Sequence, residues 1–129
     1  MATGLENLKI YQLAVKLEKE VHQITESFPK EEKYRKVDQM RRSSSSVCDN
    51  IAESYGKFSY GAKINSLYIA RGEAEEIRRQ IERAKDIYID CKIADKIVEE
   101  YIILIKSING YIKFLKEKQK DKLSNKSTN

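Results

Sequence analysis

Apolar residues recur along this chain at intervals of three and four, the repeat of one face of an α-helix. In the first segment, from about Asn7 to Phe28, the stripe is Ile10, Leu13, Ala14, Leu17, Val21, Ile24 and Phe28. Pro29 closes it, because the residue before a proline is pushed out of the α region. Glu31 and Glu32 then suit the positive end of a new helix. The second stripe runs Val37, Met40, Ser44, Val47, Ile51, Ser54 and crosses four consecutive serines, Ser43–Ser46. A flexible linker has no reason to hold that phase, so the serines are expected to be helical, with Ser44 facing the core. Serine costs about half a kcal/mol against alanine in a helix, so packing must hold this turn.

Gly56 is expected to close the second helix as its C-cap, and Ser59 to cap the start of the third. The third stripe, over about Tyr60 to Tyr88, is Ile64, Leu67, Ala70, Ala74, Ile77, Ile81, Ala84 and Tyr88. Asp90 offers the next N-cap. The fourth stripe, to about Lys118, is Ile97, Tyr101, Leu104, Ile108, Ile112 and Leu115. Four long helices with short connections predict an all-α, antiparallel up-down-up-down four-helix bundle over residues 1–118. Residues 119–129, poor in apolar side chains, are expected to form a short disordered basic tail.

Composition narrows the function. The chain has 129 residues, 35% of them charged, and a formal net charge of +5. Its length fits one domain that needs no disulfide or metal to hold it. No apolar run approaches the ~20 residues of a membrane span and no secretion signal is evident, so the expectation is a cytoplasmic protein without a membrane partner. Much of the positive excess lies from Lys116 onward, where lysines 116, 118, 120, 122 and 126 face only Glu117 and Asp121. Such a segment holds phosphates weakly without specificity, or serves only solubility.

Catalytic chemistry finds little support. His22 is the one histidine, which excludes two-histidine metal sites. Glu18 lies one turn before it, a helix-surface pair by spacing. Cys48 as a nucleophile would need a base that the sequence does not supply, and reads as a small core residue. There is no phosphate loop, cofactor motif or small-molecule site. Arg71, Arg78, Arg79 and Arg83 offer a basic ridge for nucleic acid together with Lys116, Lys118, Lys120 and Lys122, although Glu73, Glu75, Glu76 and Glu82 largely cancel its centre. Arg41, Arg42, Asn50, Glu53 and Glu76 fit either a polar site in the middle of the bundle or a structural polar network that fixes helix register; the network is the expectation. Ile102, Ile103 and Ile105 widen the apolar face of the fourth helix and are expected to meet a second copy of the chain, unless that helix simply sits deep in its own bundle. Gly72 and Gly110, inside helices, are expected with Ser44 to mark close helix packing.

Leu8, Tyr11 and Gln12; Phe28, Pro29, Glu31 and Glu32; Gln39, Arg41 and Arg42; and Asn50, Ile51, Ala52, Glu53 and Gly56 form a recognisable series. It continues with Ala70, Gly72, Glu76 and the Ile108–Leu115 segment. Over about residues 5–118 the chain resembles the S23 family of bacterial four-helix bundles, also called 23S rRNA intervening-sequence proteins. Members commonly carry a proline near position 48 and a glycine at 54, where this chain has Cys48 and Ser54. The resemblance implies a homo-oligomer, a ring of five, similar in shape to the nucleic-acid-binding accessory proteins of diversity-generating retroelements, and implies no enzymatic activity. The functional expectation is a non-enzymatic scaffold binding RNA or DNA through backbone electrostatics. The alternative is an adaptor docking a protein partner on the fourth helix.

Overall fold

The computed structural model describes residues 4–127; residues 1–3 of the predicted bundle and 128–129 of the predicted tail lie outside the described residues. Four helices form the bundle: α1 (Lys9–Thr25), α2 (Asp38–Gly56), α3 (Tyr60–Ala84) and α4 (Cys91–Ser127). Each packs on its neighbour in sequence and α4 returns to α1, closing a ring in which the α1–α4 seam is the thinnest. Most of the predicted stripe residues form the core, with Leu13, Ile24 and Tyr88 only partly buried at its edge and Cys48, Ile89, Ala94 and Ile105 added to it. Leu17, Val21, Val47, Ile51, Leu67, Ala74, Ile77, Ile81, Leu104 and Ile108 are shut off from solvent.

The serine run is helix. Ser44 is 0% exposed between Met40 and Val47, and its Oγ donates to the Arg41 carbonyl at 3.0 Å. Satisfying the hydroxyl within its own helix lets a polar side chain sit in an apolar core. Ser54 repeats the device, donating to the Ile51 carbonyl at 2.6 Å. The expected N-caps also form: Ser59 Oγ accepts from the Ala62 amide at 3.1 Å and Asp90 Oδ2 from the Lys92 amide at 3.0 Å.

The helix ends differ from the periodic reading. α1 stops at Thr25, not Phe28, and α3 at Ala84, not Tyr88. The cause is tertiary: Phe28 and Tyr88 leave their helices to pack against each other, tilted by 32° with ring centres 5.0 Å apart, and Tyr88 Oη donates to Glu32 Oε1 at 3.1 Å. The Ala84 carbonyl accepts from the amides of Ile87, Tyr88 and Ile89, and Asp86 takes the left-handed conformation (φ 65°) that the reversal needs. A 3-10 turn (Lys30–Glu32) and a wide π-type turn (Lys33–Val37) precede α2. Gly56 is the last helical residue of α2 and is not left-handed; the chain leaves through Lys57 at φ −77°, ψ 149°.

Beyond residue 118 the chain continues as helix. α4 runs to Ser127, some 37 residues and about 55 Å. No glycine or proline follows Gly110 before that point, and extending an existing helix costs far less than starting one. The terminal lysines further suit the negative end of the helix dipole.

Candidate nucleic-acid interface

The α2–α3 loop, the first half of α3 and the second half of α4 share one end of the bundle. Antiparallel packing sets the register: Arg71 Nη1 donates to Asn109 Oδ1 at 2.7 Å, and Lys122 Nζ lies 5.9 Å from the Tyr60 ring centre. Between Glu53 and Glu73 the chain has Lys57, Lys63 and Arg71 and no acid. Between Glu100 and Glu117 it has Lys106, Lys113 and Lys116 and no acid. Folding lays these two acid-free stretches side by side. Lys118, Lys120 and Lys122 continue the surface, diluted only by Glu117 and Asp121.

Aromatic rings are interleaved with these cations. Arg71 and Lys116 bracket the Tyr68 ring at 4.9 and 5.4 Å, and Lys118 lies 5.5 Å from Phe114. Lys63 Nζ donates to the carbonyls of Ser54 (3.3 Å) and Tyr55 (3.1 Å), placing a cation at the negative end of α2 and 6.0 Å from the Tyr55 ring. Tyr55 and Phe58 are exposed at the tip. A surface with fixed ammonium groups and open π-faces can neutralise phosphates and stack bases.

The predicted basic residues divide on this geometry. Arg71, Lys116, Lys118, Lys120 and Lys122 belong to this end. Arg78 is clamped by Glu75 (2.9 Å) and Glu82 (2.8 Å), and Arg79 by Glu75 (3.7 Å) and Glu76 (3.6 Å), so neither presents an uncompensated charge. Arg83 lines a separate hollow with Lys36, Gln39 and Gln80. Lys57, Lys63, Lys106 and Lys113 carry no spacing signal of their own. The two long gaps between acids, in halves that an antiparallel bundle must juxtapose, are the signal that finds them.

The expected polar network does not form. Arg41 alone crosses between helices, with Nε donating to Thr25 Oγ1 at 3.0 Å and Nη2 to the His22 carbonyl at 3.3 Å. Arg42 pairs with Asp38 on the surface at 3.1 Å, and Asn50 donates to the Ser46 carbonyl at 2.9 Å. Glu53 pairs with Lys57 at 3.6 Å, and Glu76 accepts from Gln80 at 3.1 Å. Arg42, Asn50, Glu53 and Glu76 thus each find a partner four residues away in sequence.

Two packing expectations also change. Gly72 and Gly110 are exposed, and a Cβ built on either meets nothing within 4 Å; only Ser44 among the three lies at a close contact. Ile105 belongs to the bundle's own core, Ile102 is half-buried, and Ile103 is 50% exposed. Of the three isoleucines, Ile103 is the one with substantial free surface.

Titratable groups in the interior are held in their neutral or paired forms. Burial, and then the Glu18 carboxylate, pushes the Cys48 thiol up to about 12, which leaves no thiolate for nucleophilic chemistry. Burial also raises the Tyr101 phenol far above its ordinary range. On the α1–α4 seam Lys16 Nζ binds Glu100 Oε2 at 2.7 Å, and burial followed by the nearby Glu100 charge raises the Glu20 carboxyl. No cluster of three or more His, Cys, Asp or Glu side chains among the described residues is placed to hold a metal ion. None of the described helices is long and apolar enough to cross a membrane.

Comparison with known proteins agrees with this fold. A crystal structure of a protein of unknown function from the S23 ribosomal protein family of Bacteroides thetaiotaomicron VPI-5482 superposes with a TM-score of 0.74. It is 24% identical and covers 81% of this chain and 98% of that one. No curated protein matches the chain. The family model described as 23S rRNA-intervening sequence protein matches residues 6–110, which takes in α1, α2, α3 and about the first half of α4. On that match, and on the four-helix architecture that carries its motifs, the chain belongs to the family of 23S rRNA-intervening sequence proteins.

Proposed function

We propose that this protein is a non-enzymatic scaffold that binds nucleic acid through the acid-free end of its α3–α4 pair. The observation that carries the reading is the juxtaposition of two stretches that hold five cations (Lys63, Arg71, Lys106, Lys113, Lys116) besides the Glu53-paired Lys57, and no carboxylate between Glu53 and Glu73 or between Glu100 and Glu117. Phosphate neutralisation by such a surface is driven by counterion release and is blind to sequence. The protein acts as a homo-oligomer, a ring of five as the family resemblance implies. The exposed Ile103 supports self-association, and repetition of a modest patch multiplies its affinity through avidity.

Binding of labelled RNA and DNA over a salt series tests the reading. Affinity should fall steeply as salt rises, and joint replacement of Arg71, Lys113 and Lys116 by glutamine should flatten the slope by about one unit per phosphate contact removed. Undetectable binding at low salt would overturn it. In that case the exposed Ile103 favours the adaptor reading, in which α4 docks a protein partner. Light scattering on the purified protein checks the assembly, and a monomeric mass would remove the ring.

A further inference from the structure

The most exposed large apolar side chain described is Phe58, at 103% of its reference surface, on the tip of the α2–α3 loop. The backbone around it is ordered by local bonds. α2 ends at Gly56, Lys57 is extended, and Ser59 caps α3 through the Ala62 amide. The ring is therefore displayed by a short, fixed turn and buries nothing in the fold. Phenylalanine left wholly in water forgoes the stabilisation its burial would give, so its place at this tip answers to something outside the chain.

The surroundings limit what that is. Tyr55 is 45% exposed beside it, and the cations near the tip lie over rings: Lys63 at Tyr55 and Lys122 at Tyr60. The nearest acid in sequence, Glu53, is engaged by Lys57 at 3.6 Å. Aromatic faces and ammonium groups on one projecting surface complement a ligand with π-faces and negative charge. A duplex hides its base faces in its own stack, whereas a single strand offers them.

Resting on the nucleic-acid reading above and going beyond it, we infer that this end selects single-stranded over double-stranded nucleic acid, with Phe58 as the platform on which an unpaired base stacks. Lys63 and Lys122 hold the flanking phosphates. Tyr55 extends the platform.

The test uses the full chain with a short labelled oligouridylate and an RNA duplex of equal length, at one salt concentration. Phe58→Ala should weaken single-strand binding about tenfold, within the range found when a base-stacking aromatic is removed, and leave duplex binding unchanged. The chain has no tryptophan, so Phe58→Trp supplies a single reporter whose fluorescence should be quenched by oligouridylate. Equal affinities of Phe58→Ala and the wild type for the single strand, or equal loss on both ligands, would overturn the inference while leaving the electrostatic reading intact. Undetectable binding of either ligand by the wild type at low salt would defeat that reading itself, and the inference with it. A blue shift of the tryptophan on phosphatidylcholine–phosphatidylserine vesicles, without quenching by RNA, would assign the tip to a membrane surface and refute the inference.

Discussion

Replacing Ser44 by leucine tests the central packing claim. Ser44 has no exposed surface, and Met40, Val47 and Ile51 on the same stripe are 1% exposed or less. If the site had spare room, leucine would gain helix propensity and about 1.5–3 kcal/mol of apolar burial. In a core at crystal-like density it instead forces neighbouring side chains off their rotamers, at about 1–3 kcal/mol. For a domain of this size, 1 kcal/mol moves the midpoint of thermal unfolding by about 4 °C. Ser44→Leu should therefore lower the midpoint by roughly 4–12 °C when followed by far-UV circular dichroism. Ser44→Ala is the control. It loses the hydroxyl's bond to the Arg41 carbonyl and gains about half a kcal/mol of propensity, so its midpoint should stay near that of the wild type. A leucine variant as stable as the wild type, or more so, would refute the close packing of α2 at the serine run.

Two further predictions use other parts of the bundle. Gly72→Ala and Gly110→Ala should each stabilise the protein by about 0.5–1 kcal/mol, because both positions are helical and open to solvent; destabilisation, or a change of particle mass, would mean that another chain packs there. Glu20→Gln should be more stable than the wild type at neutral pH. Its carboxyl is raised in the fold by burial and by Glu100, so the wild type gains stability as pH falls through that raised value, and the advantage of the variant should shrink toward the ordinary carboxyl value of 4.5. A gap in urea-unfolding free energy that is negative, or constant with pH, would contradict this.

The stripes were legible in the sequence because a buried helix face repeats with the helix, and the unbroken phase through Ser43–Ser46 carried the second helix across its least helical residues. The helix ends were less legible. Thr25 and Ala84 end their helices so that Phe28 and Tyr88 can meet across 60 positions of chain, a contact that no local window contains. The glycines were readable and misread: Gly110 stands two positions from both Ile108 and Ile112, on the outer side of that stripe. The expected polar network failed because helix spacing hands most of its members partners four residues away, as with Arg42 and Asp38. The basic end was hidden because it arises from missing acids in two distant segments, which only the antiparallel register brings together.

The continuation of α4 to Ser127 turns composition into phase. Lysines on a random coil would average over all directions, and only their number would matter. On a rigid rod each side chain has a bearing: Lys118 and Lys122 stand about 6 Å apart along one flank, with Lys122 held above Tyr60. A single alanine inserted after Lys116 would keep every charge and swing the terminal lysines about 100° around the axis, taking Lys122 away from that ring.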